Sequence, residues 1–150
     1  MSQRGVTIVE LLIVIGILGV VAAIALPRYA DYRERIRITQ AKQDIAVINA
    51  QVKVYMNDNR TPPDSLSAVG QGGKLDPWGR PYEYLRLEGV KGVAGKARKN
   101  KSLVPLNSDF DLYSKGKDGE SVGPLTSPVS RDDVLRANDG GFIGLASEYE

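Results

Sequence analysis

Apolar residues are spread unevenly along the chain, and the densest stretch lies at the N-terminus. From Val6 to Leu26 the only charged residue is Glu10, and the stretch from Leu11 to Leu26 has no polar side chain. At the helical rise per residue, Val6 to Leu26 would span roughly 30 Å, which is the thickness of a bilayer core. The pattern predicts a helix that needs lipid or other apolar helices around it.

After Pro27 the polarity changes but the helical spacing continues. Apolar and aromatic residues recur every three to five positions, at Tyr32, Ile36, Ala41, Ile45, Ile48, Val52 and Tyr55. This spacing predicts an amphipathic helix that ends at the Asn57–Asn59 segment, just before two prolines. One helix from Val6 to Asn57 would be roughly 75–80 Å long. The alternative is a membrane anchor followed by a separate helix, with Pro27 as the break.

The remainder of the chain has the pattern of short strands between turns. Alternation of period two predicts strands at Tyr82–Leu87 and at Phe110–Ser114, whereas Gly141–Leu145 is ambiguous between strand and loop. Trp78 lies between two prolines, which is typical of a packed turn. The economical architecture is an α+β fold, with a small antiparallel sheet laid against the long helix and a loop-rich C-terminal region.

Composition narrows the possible chemistry. Hydrophobic residues make up 42% and charged residues 25% of the chain, and the formal net charge is +2, as in an ordinary globular protein. The chain contains neither histidine nor cysteine, which excludes disulfides, thiol nucleophiles, Cys/His zinc sites and imidazole acid–base catalysis. Any bound metal ion must therefore be a hard, oxygen-ligated cation such as calcium or magnesium.

Positive charge is concentrated in the glycine-containing segment 89–108. All of its charged residues are positive, namely Lys91, Lys96, Arg98, Lys99 and Lys101. A nucleic-acid patch would interleave aromatic residues with these cations, and none are present. We therefore expect a solvated or subunit-contacting loop and no nucleic-acid partner.

Hard oxygen ligands are concentrated in the segments 109–119, 130–133 and 138–140. Carboxylates, a hydroxyl and flexible glycine turns form the ligand set that calcium needs, although from spacing alone Asp-Gly clusters are more often plain turns. The same carboxylates could form a glycosidase pair, drawn from Asp111, Asp118, Asp132 and Asp133. A domain of this size with a single Trp offers little material for a substrate cleft, so we expect no enzyme activity.

Three interpretations of the N-terminus compete. Ala23-Ile24-Ala25 fits a signal-peptidase site, and the apolar run also fits a plain membrane anchor. The third is a prepilin segment, which loses a short basic leader and retains its apolar stretch. Glu10 favours the third, because a carboxylate in lipid costs a few kcal/mol unless it finds a positive partner, such as the α-amino group of a neighbouring subunit.

The stretch from Arg4 to Leu12, RGVTIVELL, resembles the cleavage site of the type IV pilin and type II secretion pseudopilin families. The resemblance implies that a prepilin peptidase cuts between Gly5 and Val6 and methylates the new N-terminus at Val6. The family usually has Phe at this position. Glu10 is implied to direct assembly. Gly19 and Pro27 lie where the family loosens or interrupts its helix on assembly.

Two motifs extend the resemblance into the soluble part. Residues 76–82, DPWGRPY, are similar to the DPWGxPY signature of the type II secretion major pseudopilin, and residues 111–119, DLYSKGKDG, are similar to its calcium-binding loop. The resemblance implies a Ca²⁺ ion held by the Leu112 carbonyl, Ser114 and Asp118. Either Asp132 or Asp133 would complete the shell. The downstream segments 125–131 and 136–141 depart from the family pattern.

The resemblance also implies an organisation and a function. Residues 1–5 would be the leader, 6–27 the transmembrane and filament-core helix, 28–59 the amphipathic half, and 60–150 the β-rich domain with calcium loops. The chain would enter the bacterial inner membrane as a single pass, with its globular domain in the periplasm. An inner-membrane assembly platform would then polymerise it, with minor pseudopilins, into a helical pseudopilus for protein export. A surface type IV pilus and a monomeric membrane-anchored domain are the alternatives.

Overall fold

The computed structural model describes residues 5–149, and the chain separates into two compact units at Ile36 and Arg37. Most of the predicted leader, residues 1–4, and the last residue lie outside the described part. A single helix, α1, runs from Ile8 to Asn59 and contains Pro27. This confirms the prediction of one continuous helix.

The ends of α1 differ by two residues from the predicted ends. The helix begins at Ile8 because Thr7 and Glu10 cap its first turn. It continues through Asn57 to Asn59, whose side-chain amide donates to the carbonyl of Tyr55 at 2.9 Å. Arg60 then adopts the left-handed conformation at φ 61°, so the cap falls on Arg60 and not on an asparagine.

The second unit contains a four-stranded antiparallel sheet in the order β1-β2-β3-β4. The strands are β1 (Glu83–Arg86), β2 (Phe110–Ser114), β3 (Val134–Ala137) and β4 (Phe142–Leu145). The first two confirm the predicted strands, β4 resolves the ambiguous segment, and β3 was not predicted. Short 3₁₀ turns occur at Leu66–Val69, Val93–Gly95, Pro128–Ser130, Asn138–Gly140 and Ala146–Glu148.

The second unit has a hydrophobic layer on each face of this sheet. The layer against the helix is formed by residues from α1, from the turn region and from the strands: Ala41, Ile45, Ile48, Val52, Leu66, Tyr82, Phe110, Leu112 and Val134. The opposite layer consists of Leu106, Leu125, Leu135, Ala137 and Ala146. The predicted apolar face of α1 is therefore buried from Ala41 to Val52, while Tyr32 and Ile36, in the first unit, are exposed.

Candidate assembly segment and candidate metal loops

The apolar N-terminal segment of the first unit is exposed along its described length. Every large apolar side chain from Val6 to Leu26 is between 54% and 78% exposed. This part of α1 is long and apolar enough to cross a membrane, by length and composition. Gly16 and Gly19 are equally open, with no atom within 4 Å of a Cβ placed on either. Such a surface requires lipid or other copies of the helix.

Glu10 takes part in a reciprocal cap at the start of α1. Its Oε2 accepts hydrogen bonds from the backbone N–H and the hydroxyl of Thr7, both at 2.8 Å. The Thr7 hydroxyl in turn accepts from the backbone N–H of Glu10 at 3.2 Å. This is the capping-box arrangement, Thr-x-x-Glu, which satisfies two helix N-terminal donors at once. Sequence reasoning assigned Glu10 to assembly and missed this second, local role.

The Trp turn and the predicted calcium loop are joined through Asp76. One carboxylate oxygen of Asp76 accepts the backbone N–H groups of Trp78 and Arg80 at 3.0 and 2.9 Å, which closes the turn. Its other oxygen accepts the hydroxyl of Ser114 at 2.5 Å. The Ser114 side chain, predicted as a metal ligand, therefore ties the end of β2 to the Trp turn.

The segments 114–119 and 130–133 lie against each other. Asp132 Oδ2 accepts the backbone N–H groups of Lys117 and Asp118 at 2.9 and 3.1 Å. Gly116 is required here, because it has φ 61° and a Cβ on it would lie 2.2 Å from the Asp132 carbonyl oxygen. The exposed Asp118 caps its own turn by accepting the N–H of Glu120 at 2.8 Å.

Asp133, the last residue of the segment 130–133, is completely buried. Its Oδ2 accepts hydrogen bonds from Arg98 Nη2 at 2.5 Å and from the Ser121 hydroxyl at 2.7 Å. Burial raises the pKa of Asp133 to about 6 in spite of the Arg98 charge. Arg98 departs from the solvated or subunit-contacting loop expected for residues 89–108, since only 3% of this residue is exposed. Its charge is needed to neutralise a buried carboxylate.

The predicted ligand set does not form a calcium cage in this arrangement. The Ser114 hydroxyl donates to Asp76, and Asp132 and Asp133 each accept from protein donors through Oδ2. Leu112 is buried in the middle of β2. Within residues 5–149, no group of three or more acidic side chains is placed to hold a metal ion. Calcium binding stays a prediction, which the unfolding experiments described below test.

A buried ion pair that sequence reasoning missed lies under the helix. Arg136 is fully buried in β3, and its two terminal nitrogens each donate to one oxygen of Asp109 at 2.8 Å. Lys53 of α1 donates to the same carboxylate at 2.7 Å, and Asn49 accepts from Arg136 Nε at 2.6 Å. The guanidinium also lies 3.9 Å from the Phe110 ring centroid. These contacts fix the register between the helix and the sheet within the second unit.

The charge state of Asp109 makes the stability of the second unit pH-dependent. Burial alone would raise the pKa of this carboxyl, but hydrogen bonds from Arg136 and Lys53 outweigh burial and lower it to about 2, from an ordinary 3.8. A depressed pKa stabilises the fold above the unfolded-state pKa, and the contribution is lost as the pH falls through the folded-state value. We expect this contribution to be roughly 2 kcal/mol.

The measurement is the free energy of unfolding between pH 6 and pH 2 for the wild type and Asp109→Asn. The variant is destabilised at neutral pH because Arg136 loses its counter-charge. We expect the difference between the two proteins to shrink by roughly 2 kcal/mol as the pH falls from about 4 to about 2. Parallel curves over that range would contradict the role of Asp109.

Comparison with known proteins gives the same family as the N-terminal motif. The prokaryotic N-terminal methylation motif matches residues 1–26. The type II secretion system core protein G of Pseudomonas aeruginosa is 32% identical over 143 residues, which cover 81% of this chain and 89% of that protein. The chain belongs to the type IV pilin and type II secretion pseudopilin family.

Type IV pilins and fimbrial proteins are a second group of relatives of this chain. The type IV major pilin protein PilE1 of Neisseria gonorrhoeae is 39% identical over 145 residues, covering 92% of this chain and 86% of the pilin. A fimbrial protein of Neisseria meningitidis is 30% identical over 141 residues, covering 91% of this chain and 81% of its own. No solved structure gives a significant match. Both branches of the family are thus represented among the relatives.

The relatives are structural subunits, and two of the four carboxylates considered for catalysis are buried in this chain. Asp111 is 1% exposed and accepts from the backbone N–H of Arg98 at 2.7 Å and from the Asn107 amide at 2.8 Å. Asp133 is buried against Arg98. Two of the four candidate acids are therefore committed to packing.

Proposed function

We propose that this pilin-family chain is the major subunit of a periplasmic pseudopilus of a type II secretion system. The observation that carries the proposal is the exposed apolar segment of α1, whose first turn is capped by Thr7 and Glu10. Similarity to a type II secretion system core protein G over most of both chains supports the assignment, as does the Asp76–Tyr82 turn that packs on the core.

Function then resides in assembly. The apolar helix is held first by the inner membrane, as a single pass, and later by the same segment of neighbouring subunits. Transfer between two apolar environments leaves the helix surface covered at each stage, so the energetic cost falls mainly on the carboxylate of Glu10. Pairing this carboxylate with the N-terminal ammonium of an adjacent subunit removes that cost and sets the axial register.

Processing of the N-terminus is the first experiment. The chain purified from native membranes is examined by intact mass and N-terminal sequencing. We expect a chain that begins at Val6, lacks residues 1–5 and carries one added methyl group on its terminal nitrogen. A chain that begins at Leu26 would indicate a cleaved signal peptide and would overturn the filament proposal, because the apolar segment and Glu10 would be lost.

A surface type IV pilus is the second candidate, favoured by the 39% identity to a gonococcal major pilin. Deletion of the gene separates the two functions in the native bacterium. Loss of exported proteins from the medium, with surface filaments retained, supports the pseudopilus. Loss of surface filaments with normal export supports the pilus and contradicts the pseudopilus.

A further inference from the structure

The buried guanidinium group of Arg98, within the basic segment 89–108, holds residues 121–122 and Asp133. Arg98 Nη2 donates to Asp133 Oδ2 at 2.5 Å, while Nη1 donates to the Ser121 hydroxyl at 2.5 Å and to the Val122 carbonyl at 2.8 Å. The guanidinium lies 4.4 Å from the centroid of the Tyr113 ring. A single cation thus links three parts of the second unit: β2, residues 121–122 and the residue that precedes β3.

A second guanidinium group, that of Arg80, contacts backbone carbonyl oxygens of the loop 114–119. Arg80 Nη1 donates to the Gly116 carbonyl at 2.8 Å, and Nη2 lies 3.4 Å from the Lys117 carbonyl. The space for this side chain exists because residue 119 is glycine, with φ 76°; a Cβ there would lie 2.4 Å from Arg80 Cζ. Carbonyl oxygens of a loop are typical calcium ligands, and here they face an arginine.

Two backbone N–H groups of the same loop converge on a negative charge. The backbone N–H groups of Lys117 and Asp118 both point at one carboxylate oxygen of Asp132. Converging N–H groups form a concave site for negative charge, whereas a calcium cage presents converging oxygens. The Asp132 carboxylate therefore closes the loop as an acceptor from the protein.

We propose that Arg80 and Arg98 close the segments 114–119 and 130–133 in place of a divalent cation, so that the second unit folds and remains stable without calcium. Arginine suits this position because its planar guanidinium donates in several directions and stays charged when buried. The proposal concerns the packing of these loops alone. It holds equally for a pseudopilus subunit and for a surface pilin, so its failure would leave the proposed function standing.

The decisive measurement uses the wild-type full-length chain in mild detergent. Thermal unfolding is followed by the fluorescence of Trp78, the only tryptophan, in excess calcium and in excess chelator. Calcium binding is measured separately by titration calorimetry. We expect the same melting temperature in both buffers and no binding heat. A melting temperature that rises saturably with calcium and falls on chelation would overturn the proposal, and this arm requires no variant to fold.

Variants test the guanidinium directly. Arg98→Gln leaves Asp133 buried without its counter-charge, and we expect the melting temperature to fall by about 10 °C or more in both buffers. Lys96→Gln is the matched control, because Lys96 is an exposed cation of the same loop. It should melt as the wild type does. Wild-type melting of Arg98→Gln would contradict the proposal.

A double variant separates charge pairing from general damage. Asp133→Asn should also lower the melting temperature equally with and without calcium, because it leaves Arg98 uncompensated. Arg98→Gln combined with Asp133→Asn removes both charges, so we expect a smaller loss than the sum of the two single losses. If Asp133→Asn lowers the melting temperature only when calcium is present, Asp133 is a metal ligand and the proposal fails.

Discussion

We expect Glu10→Leu to enter the membrane normally and to form no filament. Leucine suits the apolar segment, so insertion loses nothing, but the subunit can no longer offer a carboxylate to the N-terminus of its neighbour. The measurement is cross-linking in native membranes, where the wild type should give a ladder of subunit multiples and the variant only the monomer. Intact mass of the variant checks that cleavage after Gly5 still occurs.

Two further variants separate the two roles of Glu10. Glu10→Gln keeps an oxygen that can accept from Thr7 but removes the charge, whereas Thr7→Val removes the two hydrogen bonds of the Thr7 hydroxyl and leaves the charge. We expect Glu10→Gln to lose the ladder and Thr7→Val to retain it. A Glu10→Gln protein that still forms the full ladder would contradict charge pairing between subunits and leave Glu10 with a capping role alone.

The largest loss of stability is expected from Arg136→Leu. The substitution places an apolar side chain at this position but removes the guanidinium from the buried Asp109, which retains its ion pair with Lys53. Removing one member of a buried ion pair costs about 3–5 kcal/mol, which is a large part of the stability of a small domain. The measurement is urea unfolding of the full-length chain in detergent, followed by Trp78 fluorescence.

Arg131→Leu is the matched control, since it removes the same kind of side chain from an exposed position five residues earlier. We expect its free energy of unfolding to lie within about 0.5 kcal/mol of the wild type. If Arg136→Leu were as stable as this control, the buried pair would contribute specificity and not stability. That result would parallel cases in which apolar residues replace buried ion pairs without loss.

The elements with a clear periodic pattern could be predicted from the sequence. The long helix and the buried face from Ala41 to Val52 follow from helical spacing, and β2 follows from alternation at Phe110–Ser114. β3 was missed because all four of its residues are buried. Leu135 and Ala137 face the second hydrophobic layer, while Val134 and Arg136 lie on the helix side. A strand buried on both faces has no alternation to detect.

The partners of charged residues could not be predicted in this way. Asp109 and Arg136 are 27 positions apart, and Arg98 and Asp133 are 35 positions apart. A local sequence pattern does not connect residues at such separations. Within the segment 89–108 nothing in the sequence separates Arg98 from the neighbouring lysines. Its burial follows from the position of Asp133 directly before β3, which only the folded sheet defines.

The sequence by itself determined the family, the apolar helix and the candidate processing site, because these depend on short contiguous motifs and on helical periodicity. The tertiary structure decided which charges are buried and what each of them contacts. Electrostatic pairing depends on distances across the fold, and the same arginine is a solvated cation or a structural one according to the carboxylate that the fold places beside it.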